Sequence, residues 1–287
     1  LVSGKDIYCK GLFLSARWFV VSQVASGGTN VIVLPDRESA EYCSSDLYAL
    51  TDGDIVFYLP DSGKGVERSN YKSSLGVQRT SAVGRIMSNA DNSSRLFIVT
   101  YPEALEELVP APDKITEGQE ISHDTIRDIL AGQGFERVDF VSAPGQYSIR
   151  GAIIDIFSYS FNYPFRVSFF GDEVEKIHVF DCNTQLSVEE RKEVEIFPDL
   201  AAETSEAEGV SLASLFPEGT VAWLDSSDMY KDRSFFHDLN RFRRVFLEIP
   251  LGADPGDAVA FNVTPQPVFN KNFELLTADI RQNMERG

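Results

Sequence analysis

The chain has 287 residues, 43% hydrophobic and 11% aromatic, enough for two or three domains that each bury a core. Its 26 lysines and arginines face 44 aspartates and glutamates, a formal charge of −18 at pH 7 with no basic run, which argues against autonomous DNA binding and for a protein partner. No apolar stretch approaches the roughly 20 residues of a membrane span and no signal peptide opens the chain, so no membrane association is expected.

Along residues 1–115 helical and strand patterns alternate. Ser15 to Ala25 reads as a helix closed by Gly27 and Gly28, Val31 to Leu34 as a continuous apolar strand, and Arg37 to Leu50 as a second helix. Ile55 to Leu59 is another buried-type strand, and Pro60 to Gly76, rich in Gly, Ser and charge, reads as a loop. A helix around Ser81 to Ser88, a strand Leu96 to Val99 and a helix Glu103 to Val109 follow, with Pro110 to Asp113 as a boundary. Short all-apolar strands separated by helices predict an α/β domain with a mostly parallel sheet covered on both faces.

Residues 116–198 differ in kind and predict a small α+β domain with an antiparallel sheet, inserted into the first. A helix begins near Ser122, a suitable N-cap, carries Ile126, Ile129 and Leu130 on one face, and ends at Gly132 and Gly134. Strands follow. In Phe165 to Phe170 the residues Phe165, Val167 and Phe169 share one face, while Arg166, Ser168 and Phe170 share the other. Gly171 and Asp172 then form a two-residue hairpin turn into the strand Val174 to Phe180. If the first face packs inward, Arg166 and Phe170 stand out together, the composition of a protein-binding hot spot. The parity leaves a second arrangement open, with Phe170 buried under a loop and Arg166 paired to Glu173 or Glu175.

Residues 199–287 return to α/β character, with strands at Val221 to Leu224 and Arg243 to Ile249. Glu203 to Glu208 reads as a solvated loop, and a helix from about Asn270 carries Phe273, Leu276 and Ile280 on one stripe. Cys9, Cys43 and Cys182 lie far apart with no CxxC pair, as thiols in a reducing cytoplasm do. His123, His178 and His237 are equally scattered, so neither a metal site nor a Ser/His/Asp set is expected. The paired carboxylates Asp172-Glu173 and Glu189-Glu190 read as turn and surface residues. The start at Leu1 and the stop at Gly287 suggest a piece of a longer polypeptide.

The run Gly134-Phe135-Glu136-Arg137-Val138-Asp139, then Pro144 to Phe157 (PGQYSIRGAIIDIF), Pro164-Phe165-Arg166, Phe169 to Glu175 and Phe180-Asp181 with Thr184-Gln185, resembles a signature shared by two bacterial repair proteins. They are the excision-repair subunit UvrB and the transcription-repair coupling factor. The flanks follow the amino-terminal UvrB-like region of the coupling factor, so the resemblance covers nearly the whole chain. It implies a P-loop NTPase-like fold for the α/β domain, with the third part packed back onto the first.

UvrB-type proteins carry a phosphate-binding loop at the first βα junction, where glycines, a Lys and a hydroxyl are required. The aligned stretch here is Gly11 to Trp18. Leu14 and Ala16 replace the inner glycines, Arg17 stands where the Lys would be, and Trp18 replaces the hydroxyl beside Ser15. The loop reads as degenerate: no cofactor is expected in this fragment, and no catalysis. Gly63-Lys64-Gly65 lacks the remaining P-loop positions and reads as a plain loop. The UvrB aromatic hairpin that clamps DNA is also missing, since Leu59 to Arg79 holds only Tyr71 among aromatics. Arg79 and Arg85 in the following segment read as helix-surface charges.

The resemblance further implies that the middle domain docks onto UvrA, the damage-recognition ATPase, through Arg150, Arg166 and Phe170. Phe170 would supply the apolar anchor and the two guanidiniums would pair bidentately with carboxylates of the partner. For Arg150 a structural role competes, because Gly151 can mark a bulge. Asp155 and Asp172 would order the sheet and its turn. In a full-length coupling factor this surface would be masked until stalled RNA polymerase is engaged, and polymerase and DNA would be held by other domains. The leading expectation is thus a non-catalytic module that recruits UvrA for transcription-coupled excision repair. The alternative is a fragment of an ATP-dependent UvrB or helicase-type enzyme.

Overall fold

A computed structural model of the chain describes residues 6–285 apart from 26, 52, 63–68, 111, 160, 162, 198–199, 201–208, 255, 257 and 264–268. The chain enters through β1 (Ile7–Lys10), α1 (Ala16–Val24), β2 (Thr29–Val33), α2 (Arg37–Leu50) and β3 (Val56–Tyr58). Asp36 caps α2 by accepting from the Ser39 amide at 2.8 Å, so this helix starts where the sequence predicts. The predicted loop 60–76 is only partly a loop. From Ser69 the backbone is already helical, in a single α3 (Ser69–Ser88). No proline or glycine interrupts Ser69 to Leu75, and Leu75, Ala82, Val83 and Ile86 form one buried stripe that extends the helix backward. Arg79 lies on that buried side, bonded to the Pro60 carbonyl at 2.8 Å and paired with Glu107 at 3.1 Å, which corrects its reading as a surface charge.

After β4 (Leu96–Thr100), α4 (Pro102–Glu106) stops short of the predicted Val109. Leu108 instead begins β5 (Leu108–Pro110), which pairs much later in the chain. A long-range strand pairing overrides the local helical pattern here. Then come β6 (Asp113–Thr116), α5 (His123–Gly132), β7 (Glu136–Arg137), β8 (Gln146–Arg150), β9 (Ile153–Phe157), β10 (Phe165–Phe170), β11 (Glu173–Phe180), β12 (Ser187–Arg191) and β13 (Glu193–Ile196). The remainder holds β14 (Gly209–Ser211), β15 (Val221–Leu224), α6 (Ser234–Asp238), β16 (Arg243–Phe246), β17 (Val259–Ala260) and α7 (Phe273–Glu285). The stretch Glu203 to Glu208 lies outside the described residues.

Seven strands form one sheet in the order β17-β1-β16-β15-β2-β4-β3, every pairing parallel. Strands from the last third of the chain thus sit between β1 and β2 from the first third. Both faces are covered, as all-apolar parallel strands require. Val31, Val33, Ala222 and Leu224 point into one core with Ile86, Leu212 and Phe235, whereas Ile32, Leu34 and Trp223 point into the other with Trp18, Val21 and Leu47.

A second, six-stranded sheet has the order β12-β11-β10-β9-β8-β7 and is antiparallel except for the β7–β8 pair. Its inner face, including Tyr147, Ile154, Ile156, Phe165, Val167, Phe169, Val174 and Ile177, packs on Ile126 and Leu130 of α5. Ser122 caps that helix through the Thr125 amide at 3.1 Å. The α7 stripe, by contrast, is uncovered: Phe273 is 74% and Ile280 49% exposed. Among the described residues no helix is long and apolar enough to cross a membrane.

Candidate functional site

The outer face of the six-stranded sheet carries Arg150, Arg166 and Phe170, the three residues expected to dock a partner. Parity sends Ser148, Asp155 and Arg166 to the same side as Phe170, and the register sets Asp155 opposite Ser148 on β8 and Arg166 on β10. Asp155 is 1% exposed. It accepts from Arg166 Nε at 2.7 Å and from the terminal nitrogen at 2.9 Å, and it also pairs with Arg150. Gln185 takes a further Arg166 bond at 2.9 Å. Aromatic rings complete the cluster: Phe180 lies 4.2 Å from the Arg166 guanidinium carbon and Phe140 lies 4.7 Å from that of Arg150.

Arg166 therefore pairs with neither Glu173 nor Glu175. The bidentate pairing that the sequence reading assigned to a partner's carboxylate is made within the sheet, by Asp155. Two cations on one buried carboxylate leave the cluster with a net positive charge, and bonding to Asp155 holds the Arg166 guanidinium above its ordinary range. Gly151 marks no bulge. It sits at φ +59° in the two-residue turn joining β8 to β9, where Arg150 pairs with Ile153, so Arg150 ends its strand at a hairpin.

Phe170 ends β10 with 80% of its surface exposed, on the face that parity predicts. Its partner across the hairpin is Glu173, and Gly171 supplies the positive φ of the turn. The register also shifts once: Ser168 pairs with Lys176 but Phe169 with Val174, so Glu175 is the extra residue of a β-bulge. Periodicity of the β10 sequence carried no sign of it, since the extra residue is on the other strand.

The second predicted site, Gly11 to Trp18, joins β1 to α1. Gly11 has φ +78°, and a Cβ there would lie 2.2 Å from the Phe261 carbonyl oxygen, because Phe261 donates to the Lys10 carbonyl just beyond β17. Gly11→Ala is expected to lower stability by about 2–3 kcal/mol, measured by urea unfolding. The amides of Ala16, Arg17 and Trp18 donate to the carbonyls of Phe13, Leu14 and Ser15 at 3.1, 3.2 and 3.1 Å. Leu14 adopts φ +48° and projects into solvent. The Ser15 hydroxyl donates to Asp46 at 2.8 Å, and Trp18 is 7% exposed within the core. Arg17 turns onto Asp225, just past β15, where burial pushes the carboxyl up and the guanidinium opposes that rise.

Comparison with known proteins bears on both sites. Residues 114–201 match the family model described as the UvrB interaction domain. The chain is 29% identical to the transcription-repair-coupling factor of Bacillus subtilis (strain 168) over 204 residues, which is 68% of this chain and 17% of that protein. To the transcription-repair-coupling factor of Escherichia coli (strain K12) it is 37% identical over 82 residues, 29% of this chain and 7% of that protein. UvrABC system protein B of Lactobacillus johnsonii is 30% identical over 148 residues, 49% of this chain and 22% of that protein. The resemblance to the UvrB-like region of transcription-repair coupling factors is thereby borne out, and this chain spans less than a quarter of each of these relatives.

Proposed function

We propose that this chain, which carries a UvrB interaction domain and is similar to transcription-repair coupling factors, is a non-catalytic docking module that recruits UvrA to stalled transcription complexes for excision repair. One observation carries the reading. Within the matched residues, a single sheet face presents an exposed phenylalanine and two arginines locked in place by a buried aspartate. A docking surface works best when its anchors need no ordering on contact, and here both guanidiniums are oriented before any partner arrives. Phe170 supplies the apolar area, while Arg150 and Arg166 supply positive charge and flat surfaces rather than free forks. In a longer protein of this kind, RNA polymerase and DNA would be held by other domains, in a reducing cytoplasm.

The test is direct. Phe170→Ala is expected to leave the fold intact and to weaken binding to purified UvrA by about 1–3 kcal/mol in calorimetry. Unchanged affinity would remove Phe170 from the interface.

The reading also takes the Gly11 to Trp18 loop as a degenerate P-loop that keeps a fold and has lost its nucleotide. A triphosphate needs free backbone amides around it, and the amides that would serve are bonded to carbonyls one turn back. The cation aligned with the phosphate lysine is tied to Asp225, and the side chain aligned with the metal-binding hydroxyl is a core indole. These residues do not fit a nucleotide. The rival, an ATP-dependent UvrB-type enzyme, predicts saturable binding of Mg-ATP, and a titration with a fluorescent ATP analogue separates the two.

A further inference from the structure

The hairpin tip beside Phe170 has the opposite electrostatic character from the arginine cluster. An open groove of about 290 Å³ is lined by Phe170, Val174, Gly118 and the carboxylates of Glu117, Glu173 and Glu175. The loop carrying Glu117 is fixed against the hairpin: the Gly118 amide donates to Val174 at 2.8 Å, the Val174 amide to Gln119 at 2.9 Å, and the Ile121 amide to Asp172 at 2.8 Å. The β-bulge adds Glu175 to the lining. The three glutamates are exposed and none has a side-chain hydrogen bond or ion pair among the described residues. Among the described residues no cation lies over the Phe170 ring: Lys176, opposite Ser168 on the same face, turns to Glu190 at 3.4 Å, and Lys192 lies beside Glu117, its carbonyl accepting from the Glu117 amide at 2.8 Å. Arg166, four residues back along β10, is about 13 Å away at the rise of a strand.

We infer that this groove receives a lysine or arginine side chain of the protein that docks on the sheet, its cation over the Phe170 ring and between the glutamates. The inference rests on the reading that this face binds UvrA, and it adds the chemistry of the partner's contact. An uncharged apolar anchor pressed onto Phe170 would strip water from three carboxylates and return nothing to them. A guanidinium or ammonium gives each a charge-assisted bond while its stem covers the ring. A bare metal ion is the wrong occupant, since among the described residues no group of carboxylates is disposed to hold one. With a positive cluster at one end and an acidic groove at the other, the face is polarised along β10, and only one orientation of a complementary partner satisfies both ends.

The experiment measures binding of the 287-residue chain to purified UvrA at two salt concentrations, with Phe170→Ala, the double variant Glu173→Gln/Glu175→Gln and the reversal Glu175→Lys. Thermal melting checks that each variant is folded. The double variant is expected to bind about tenfold more weakly, mostly through a slower association rate, with a shallower salt dependence, and Glu175→Lys more weakly still. If Phe170→Ala weakens binding but the glutamate variants bind as tightly as the parent, or tighter, the groove takes no cation and the inference falls while the docking reading stands. If the parent chain does not bind UvrA at all, both fall together.

Discussion

Replacing Asp155 with alanine is expected to destabilise the protein by about 3–5 kcal/mol, the usual result of removing one partner from a buried ionic cluster. Asp155 is the only anion bonded to both Arg150 and Arg166 among the described residues, and its side chain is 2% exposed. Without it, among the described residues, Arg166 keeps Gln185 and the Phe180 ring and Arg150 keeps only the Phe140 ring, none of which carries a negative charge. Asp155→Asn separates folding from docking. Its amide fills the same space and keeps one acceptor, so the loss in stability should fall to about 1–3 kcal/mol. The two guanidiniums, no longer held on one anion, should then bind UvrA more weakly than stability alone explains. Urea unfolding gives the first quantity and calorimetry the second. A neutral Asp155→Ala variant would mean that the arginines find other partners, and the preorganised cluster would not exist.

The sequence made one half of this cluster legible and hid the other. Alternation along Phe165 to Phe170 has a period of two, so the outward placement of Arg166 and Phe170 follows from the residues alone, and the 80% exposure of Phe170 agrees. The partner of Arg166 did not follow. Asp155 is eleven residues upstream on a different strand, and only the register of β8, β9 and β10 brings it between the two arginines. Nearby Glu173 and Glu175 were the local candidates, but the bulge and the hairpin turn put them with Phe170 instead. The same limit explains other departures. Arg79 looked like a surface charge because its acceptors, Pro60 and Glu107, are far away in the chain. Leu108 and Val109 looked helical because their strand partner, β14, begins only at Gly209. Patterns with a local period were readable; pairings that require a register were not.

Trp18→Thr is expected to cost about 3–5 kcal/mol, since it replaces a buried indole with a small polar side chain and leaves a cavity. The substitution restores the hydroxyl that a metal-binding loop would need, which makes the outcome informative in two ways. Trp18 packs with Leu12, Val21, Leu47 and the other residues on the α1–α2 side of the parallel sheet. At this position the side chain belongs to the core. Adding Leu14→Gly, Ala16→Gly and Arg17→Lys would complete the P-loop chemistry in sequence, yet we expect no binding of Mg-ATP. The amides of residues 16 to 18 would still turn back on Phe13, Leu14 and Ser15, and Phe261 would still lie across Gly11. Denaturant unfolding reads the lost stability, and a nucleotide titration of the fourfold variant reads the rest. Micromolar ATP binding by that variant would show that the backbone around residues 11 to 18 does not bar a nucleotide, and the backbone argument would be wrong.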